Sequence, residues 1–549
     1  MKALIASAST EKEREIEAKR REKGRHTILM RKQYRVFYTI MLLLVTALWL
    51  VGCASKEQEG VLSGAVQVDP ADEISLHEVS LPYRRSAGLN PLELTDLTNF
   101  ALCSLLYDPL VALDAAYRAQ PALASEVMIS GRVVTITLRD DVYFHNGRKL
   151  TAEDVYYTLD SVRRKEGYYT ARMRNVEVMD LIDAHTVRLI LKEENALFEA
   201  LLNIPIIPAR AAAEVFEPVG TGRYVYYAAE EKLFANTDWF GGDIALQHIT
   251  LVEAPDAQAV AFAFQTGQIQ LAVEPSAETQ GSRKTYVTSS LVLLGVNPSC
   301  AALSTPMLRQ ALAAGISRAQ LLDDNIARGG YIALSPLNPR WYLYDASSIA
   351  RGYDPAFTES ALIRAGYTER DSENYLAMQT GGGRLRRLSV RLVCNGGNAE
   401  RSGIASSIAN QLRTYGYEVT VVEVPTADFL PTIARGAFDL YLGEVRLTPD
   451  MDIEQLVGTG GSLNYGGFSS HTVDRAITQL KATATTNRTA AAAQLIAALD
   501  EEVPVVALYY ALGEIVLNPY LIQYIAPYHA DPLSGLTNIV LQAVDSAGE

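Results

Sequence analysis

An α/β architecture is the fold class that this 549-residue sequence predicts, and three observations carry it. The later half alternates strand-like and helix-like segments. Near residue 132 an alternating strand runs through a tight turn into a capped helix. The composition, 48% hydrophobic and 20% charged, is that of a globular chain long enough for roughly three domains of ~150 residues each, with a sizeable buried core.

From Arg132, residues Val134, Ile136 and Leu138 share one face and Val133, Thr135 and Thr137 the other, the period of a half-buried strand. Asp140-Asp141 turns the chain, Val142-Tyr143-Phe144 reads as a second strand, and Asn146-Gly147 as a tight turn. Thr151 then caps a helix whose Glu153 and Asp154 lie near its positive end and which continues through Val155, Leu159 and Val162. Thr305-Pro306, Ser317 and Asp354-Pro355 announce three more helix starts. Farther on, Leu388 to Cys394, a helix to Tyr415 closed by Gly416, Glu418 to Val424, a short helix and Phe438 to Val445 give a βαβ order that predicts a mainly parallel sheet. An alanine-rich helix, Thr489 to Leu499, precedes the apolar strand Val505 to Tyr510.

The long apolar run, Val36 to Gly52, has 17 residues without a charge, follows Arg31, Lys32 and Arg35, and ends at Cys53. That is short of the ~20 residues of a membrane span and fits a secretory signal. Leu50-Val51-Gly52-Cys53 resembles a bacterial lipobox, which implies acylation and cleavage at Cys53. Residues 1–53 are thus expected to be a signal region, with either Met1 or Met30 as the start, and polar residues 54–71 a flexible tether. The first 53 residues hold 11 Lys/Arg and 5 Asp/Glu, so removing their +6 from the overall −14 leaves −20. Such acidity argues against a nucleic-acid partner.

Cys103, Cys300 and Cys394 lie in apolar or strand-like segments without metal spacing and read as buried thiols, not as a disulfide framework. The 7 His are scattered, so no metal site and no cofactor are expected. Gly381 to Gly383 and Gly458 to Gly461 lack the Lys-Ser/Thr of a phosphate loop and read as turns. There is no Gly-x-Ser-x-Gly elbow and no His-Glu-x-x-His, so an envelope hydrolase is disfavoured.

The run Thr137-Leu138-Arg139-Asp140-Asp141-Val142-Tyr143-Phe144-His145-Asn146-Gly147 with Leu150-Thr151-Ala152-Glu153-Asp154-Val155 resembles the signature of family 5 extracellular solute-binding proteins, the peptide- and nickel-receptor family of ABC importers. Further matches follow in order: Leu89-Asn90-Pro91; Val219-Gly220-Thr221-Gly222-Arg223-Tyr224; Phe264 to Ile269; Asn297 with Arg309 to Leu312; Tyr353-Asp354-Pro355; and Asn395 with Gly416-Tyr417. The resemblance spans residues 75 to 545. It implies the two-lobed periplasmic-binding-protein fold, class II and peptide-binding type, with a small inserted accessory domain. Carried onto this chain, lobe I takes 72–97, 208–284 and 506–549, the accessory domain 98–207, and lobe II 285–505. It implies a monomeric, non-enzymatic receptor in the cell envelope, membrane-held through lipid, that hands a small solute such as a short peptide to permease subunits. A metal chelate, an oligosaccharide or an opine-like compound are alternative solutes, and a signalling or chaperone receptor without a permease is an alternative role.

The segments matching ligand-facing parts of peptide-binding relatives contain Thr95 and Leu97, Glu274, Asn395, Arg401, Gly443, Glu444 and Arg446, Asn464, and Tyr509. Where the family often reads Gly-Trp plus an acidic residue, this chain reads Gly443-Glu444-Val445-Arg446. Glu444 and Arg446 stand two apart on a strand, able to pair with each other or with a zwitterionic ligand. Glu274 reads equally as a rim residue, and Arg401 as a surface charge or a ligand clamp. Of Tyr509 and Tyr510, one is expected toward the core and the other toward the cleft. His145, beside Phe144 and the Asn-Gly turn, reads as a packing residue.

Overall fold

Two long strands, Ser282–Val296 and Val505–Leu517, run antiparallel through the middle of a seven-stranded sheet. This computed structural model describes residues 78–93, 96–209 and 218–541; Met30, Cys53, the tether and Thr95 lie outside them. The ribbon's register shifts twice, between Val287 and Leu291 and between Val292 and Leu293. On one side of these bulges the ribbon pairs with Leu271–Val273; on the other it pairs with Leu440–Arg446, and through it with Ser389–Asn395 and Glu418–Val424. The βαβ expectation holds for the last three strands, which are mutually parallel. It fails for the sheet as a whole, which is mixed. The ribbon strands enter from the other lobe and pair antiparallel with each other and with Leu440–Arg446, which βαβ reasoning over residues 388–445 does not reach.

The two lobes form around separate cores. In the first, strands Ser80–Tyr83, His248–Glu253, Lys232–Ala235 and Tyr224–Tyr227 make a sheet whose apolar face buries Leu81, Leu233 and Ile249 with Ile515 and Leu536. Helix Leu97–Leu106 buries Ala101, Leu105 and Leu106 in this same core, so it packs with the first lobe although it falls in the segment assigned above to the accessory domain. The inserted sheet, in the order Ala124–Ser130, Val133–Leu138, Thr186–Leu191, Val176–Leu181, packs its inner face on helix Ala152–Arg164. In the second lobe, both faces of the central sheet are covered, one by the core around Ile316, Ile404 and Leu412, the other by that around Trp341, Ile477 and Leu495.

The signature block turns out to be a fastening device. Val142 to Phe144 forms no strand, only a bridge from Tyr143 to Lys149 around the turn, where Gly147 takes φ +79. His145 Nδ1 accepts from the Gly220 amide at 3.2 Å, which leaves Nε2 to donate to the Gly222 carbonyl at 3.1 Å. Gly220 is required there, because a Cβ would sit 1.8 Å from the Leu106 carbonyl oxygen. The Asp154 carboxylate, fully buried, accepts from the Thr151 amide at 2.9 Å and the Ala209 amide at 2.7 Å and pairs with Arg148 at 2.5 Å. Local capping thereby ties the inserted domain to the first lobe.

Candidate functional site

A cavity of about 370 Å³ lies where the first lobe, the inserted domain and the second lobe meet. Helix Leu97–Leu106 supplies Phe100, Cys103 and Ser104; the inserted domain supplies Tyr117, Tyr168, Tyr169 and Arg172; the C-terminal segment supplies Tyr528, His529 and Asp531; and the second lobe supplies Ser289 and Arg446 to Pro449. The volume sits near the low end of the ~300–1,000 Å³ typical of small-molecule sites.

One end is anionic and satisfied. Arg223 donates to the Ser104 carbonyl at 2.9 Å and to Asp531 at 3.1 Å. Asp108 accepts from Thr221 at 3.0 Å and from the Trp239 indole at 3.3 Å. Burial pushes the Asp108 carboxyl above its ordinary value, against the pull of Arg223. Burial works against the Arg223 charge too, but Asp531 and Asp108 outweigh it and hold that guanidinium firmly protonated. Two carboxylates share this one cation.

The other end is cationic. Arg172, only 8% exposed, donates to the Asn203 carbonyl and stacks on Tyr169 at 4.9 Å and Tyr168 at 5.7 Å. Arg446 lies over the same Tyr168 ring at 5.0 Å. Neither guanidinium has a carboxylate partner among the described residues. Arg172 is buried and Arg446 exposed, so the Tyr168 ring carries two cations, one from each side of the cleft, with no anion beside them among the described residues. His529 lines the same wall, its Nε2 buried without a hydrogen-bond partner and its pKa pushed down by burial, then by Arg172, to about 3.

The structure distributes the sequence-derived candidates unevenly. Arg446 lines the cavity. Glu444 does not pair with Arg446; it pairs with Arg401 at 2.7 Å, and Arg401 also donates to the Tyr509 hydroxyl at 2.8 Å. The two Tyr neighbours are both buried, Tyr509 in one core and Tyr510 in the other, because the sheet is covered on both faces. Glu274, at φ +49, pairs with Arg328 at 2.7 Å and accepts from the Glu514 amide at 3.0 Å. Asn395 accepts from the Gly397 amide and Thr426, and Asn464 from the Phe468 amide, each organising its own loop. Gly443 is a buried strand residue facing Ser282–Val296 at Leu293, and Leu97 is half exposed at a helix start outside the cavity. Sequence reading missed Arg172, Tyr117, Tyr168 and His529, which stand in turns without periodicity; Arg223 lay in a quoted motif and was read only as a match.

The family model for bacterial extracellular solute-binding proteins, family 5 Middle, matches residues 118–464, more than half of the chain. The chain belongs to this family. Its members are substrate-binding proteins and not enzymes, and the two-lobed fold above is theirs. This solute-binding protein is similar to Protein XP55 of Streptomyces lividans, 29% identical over 68% of this chain and 72% of the relative. It is similar to Di/tripeptide-binding protein 2 of Pseudomonas aeruginosa, 26% identical over 65% of this chain and 73% of the relative. Its fold matches the crystal structure of a nickel ABC transporter protein from Bacillus halodurans with a TM-score of 0.70, 20% identity, and coverage of 84% and 99%. Among the described residues of this solute-binding protein, no helix is long and apolar enough to cross a membrane and no cluster of metal-ligating groups occurs.

Proposed function

We propose that this solute-binding protein captures a short peptide-like zwitterion between its lobes and delivers it to the permease of an ABC importer. The observation that supports this reading is the polarity of the cavity. Arg172 and Arg446, without a carboxylate partner among the described residues, offer two guanidinium groups to a carboxylate, while Asp531 and Asp108 around Arg223 offer carboxyl oxygens to an amino group. A cavity of about 370 Å³ suits two or three residues better than a long peptide. The kinship with a di/tripeptide-binding protein points the same way. Because the anion receptor is built from both sides of the cleft, a bound carboxylate favours the closed state, and closure reports occupancy to the permease. The chain acts as a monomer held at the outer face of the membrane by lipid on Cys53.

Native mass spectrometry of the full-length protein in detergent, followed by calorimetric titration with di- and tripeptides, tests this. A binding peptide at 100 times its Kd stabilises the fold by about 2.7 kcal/mol. Should a chelate or an oligosaccharide bind while no peptide does, the peptide assignment falls and the receptor role stands. Cys53→Ala is expected to remove the acyl mass; an unchanged mass refutes the anchor.

A further inference from the structure

The hairpin tip between strands Val111–Leu113 and Ala119–Pro121 reaches from the inserted domain into the second lobe. Asp114 organises it, its carboxylate accepting from the Ala116 amide at 2.8 Å and the Arg118 amide at 2.9 Å. The result is a left-handed backbone at Tyr117, φ +64, a conformation that bulky side chains avoid and that persists only where surroundings impose it. Tyr117 is 1% exposed and packs in the second lobe's core with Leu291 and Leu337. Its hydroxyl accepts from Asn338 Nδ2 at 3.0 Å, and the neighbouring Ala116 carbonyl accepts from the Tyr342 amide at 3.0 Å. The other side of its ring story is the cavity: Tyr117 stacks on His529, centroids 3.5 Å apart and planes 12° apart.

His529 is thus a flat ring clamped by Tyr117, with a buried, unpartnered Nε2 in the wall beside Arg172. A buried polar atom without a partner carries a cost that a ligand hydrogen bond removes. We infer that His529 Nε2 is a ligand-contacting, specificity-determining group, and that Tyr117 is the positioning residue that couples this contact to docking of the hairpin tip on the second lobe. Cavity occupancy and hairpin docking then stabilise each other, because both act on one stacked pair. This deepens the receptor reading above, yet its docking half stands without any particular solute.

The test is hydrogen exchange at the Tyr342 amide of the full-length protein, with dialanine and trialanine as probes. In the ligand-free protein His529→Ala, which removes the ring behind Tyr117, and Asn338→Ala, which removes the hydroxyl's partner, each speed exchange about tenfold, the equivalent of one hydrogen bond. His529→Phe keeps the stack and leaves ligand-free exchange as in the wild type, but it lacks Nε2. It therefore binds the probe about tenfold more weakly and loses the probe-induced slowing at Tyr342. Unchanged ligand-free exchange in His529→Ala overturns the coupling, whatever the solute is. Wild-type affinity in His529→Phe overturns the contact. If neither probe binds the wild type, the peptide assignment fails separately, and the ligand-free exchange still decides the coupling.

Discussion

Two arginine clusters, one lining the cavity and one outside it, differ in one respect. Around Arg401 every charge has its complement: Glu444 at 2.7 Å, the Tyr509 hydroxyl at 2.8 Å, with Glu274 and Arg328 paired at 2.7 Å. Around Arg172 and Arg446 the cations have rings and a carbonyl but no anion among the described residues. The first cluster is neutralised as folded, whereas the second holds two cations without an anion among the described residues. Under the proposed function, the missing complement and not charge alone sets the second cluster apart.

The sharpest way to break this contrast is to empty the second cluster. Arg172→Met with Arg446→Met removes both anion contacts, and charged hydrogen bonds contribute about 1.5–3 kcal/mol each, so affinity is expected to fall at least 100-fold in a calorimetric titration. Wild-type affinity in the double variant would place the carboxylate site elsewhere. A smaller effect concerns His529. Its folded pKa of about 3 lies below the ordinary 6.5, so between those values the unfolded chain binds a proton that the folded chain refuses. This site's contribution to stability is present in full above pH 6.5 and is lost as pH falls from 6.5 toward 3. The urea midpoint should drop between pH 7 and pH 5, and His529→Phe should flatten that drop; an equal slope in both proteins would show that other groups carry it. The smallest effect belongs to the saturated cluster. Glu444→Gln is expected to cost about 0–1 kcal/mol, since Glu444 is a partly exposed partner, and to leave peptide affinity unchanged. A tenfold loss of affinity there would erase the distinction between the clusters.

What was legible in the sequence was local. Thr151 and Asp154 announced a capped helix, Thr305-Pro306 and Asp354-Pro355 two more, and all three stand where their caps put them. The lobed plan came from ordered motifs. Sheet direction misled, because βαβ spacing says nothing about strands that enter from another lobe. Arg172 was invisible for a different reason. It lies in a short 3-10 turn, and its meaning comes from Arg446 and His529, which sequence distance separates from it. Arg401 and Glu444 were singled out by matching segments, yet their partners were unreadable until the strand and the helix start met.

The first lobe's core also sets an order of events. It joins Leu81 and Leu105 from the beginning of the chain to Ile515, Leu521 and Leu536 near its end, and Ser104 and Arg223 both reach Asp531. The earliest-made segment therefore waits for the last to be synthesised before it can lock, and contacts so distant along the chain form slowly. The first lobe of a chain built this way stays open until the last segment is made, which suits a protein whose working place lies on the far side of a membrane.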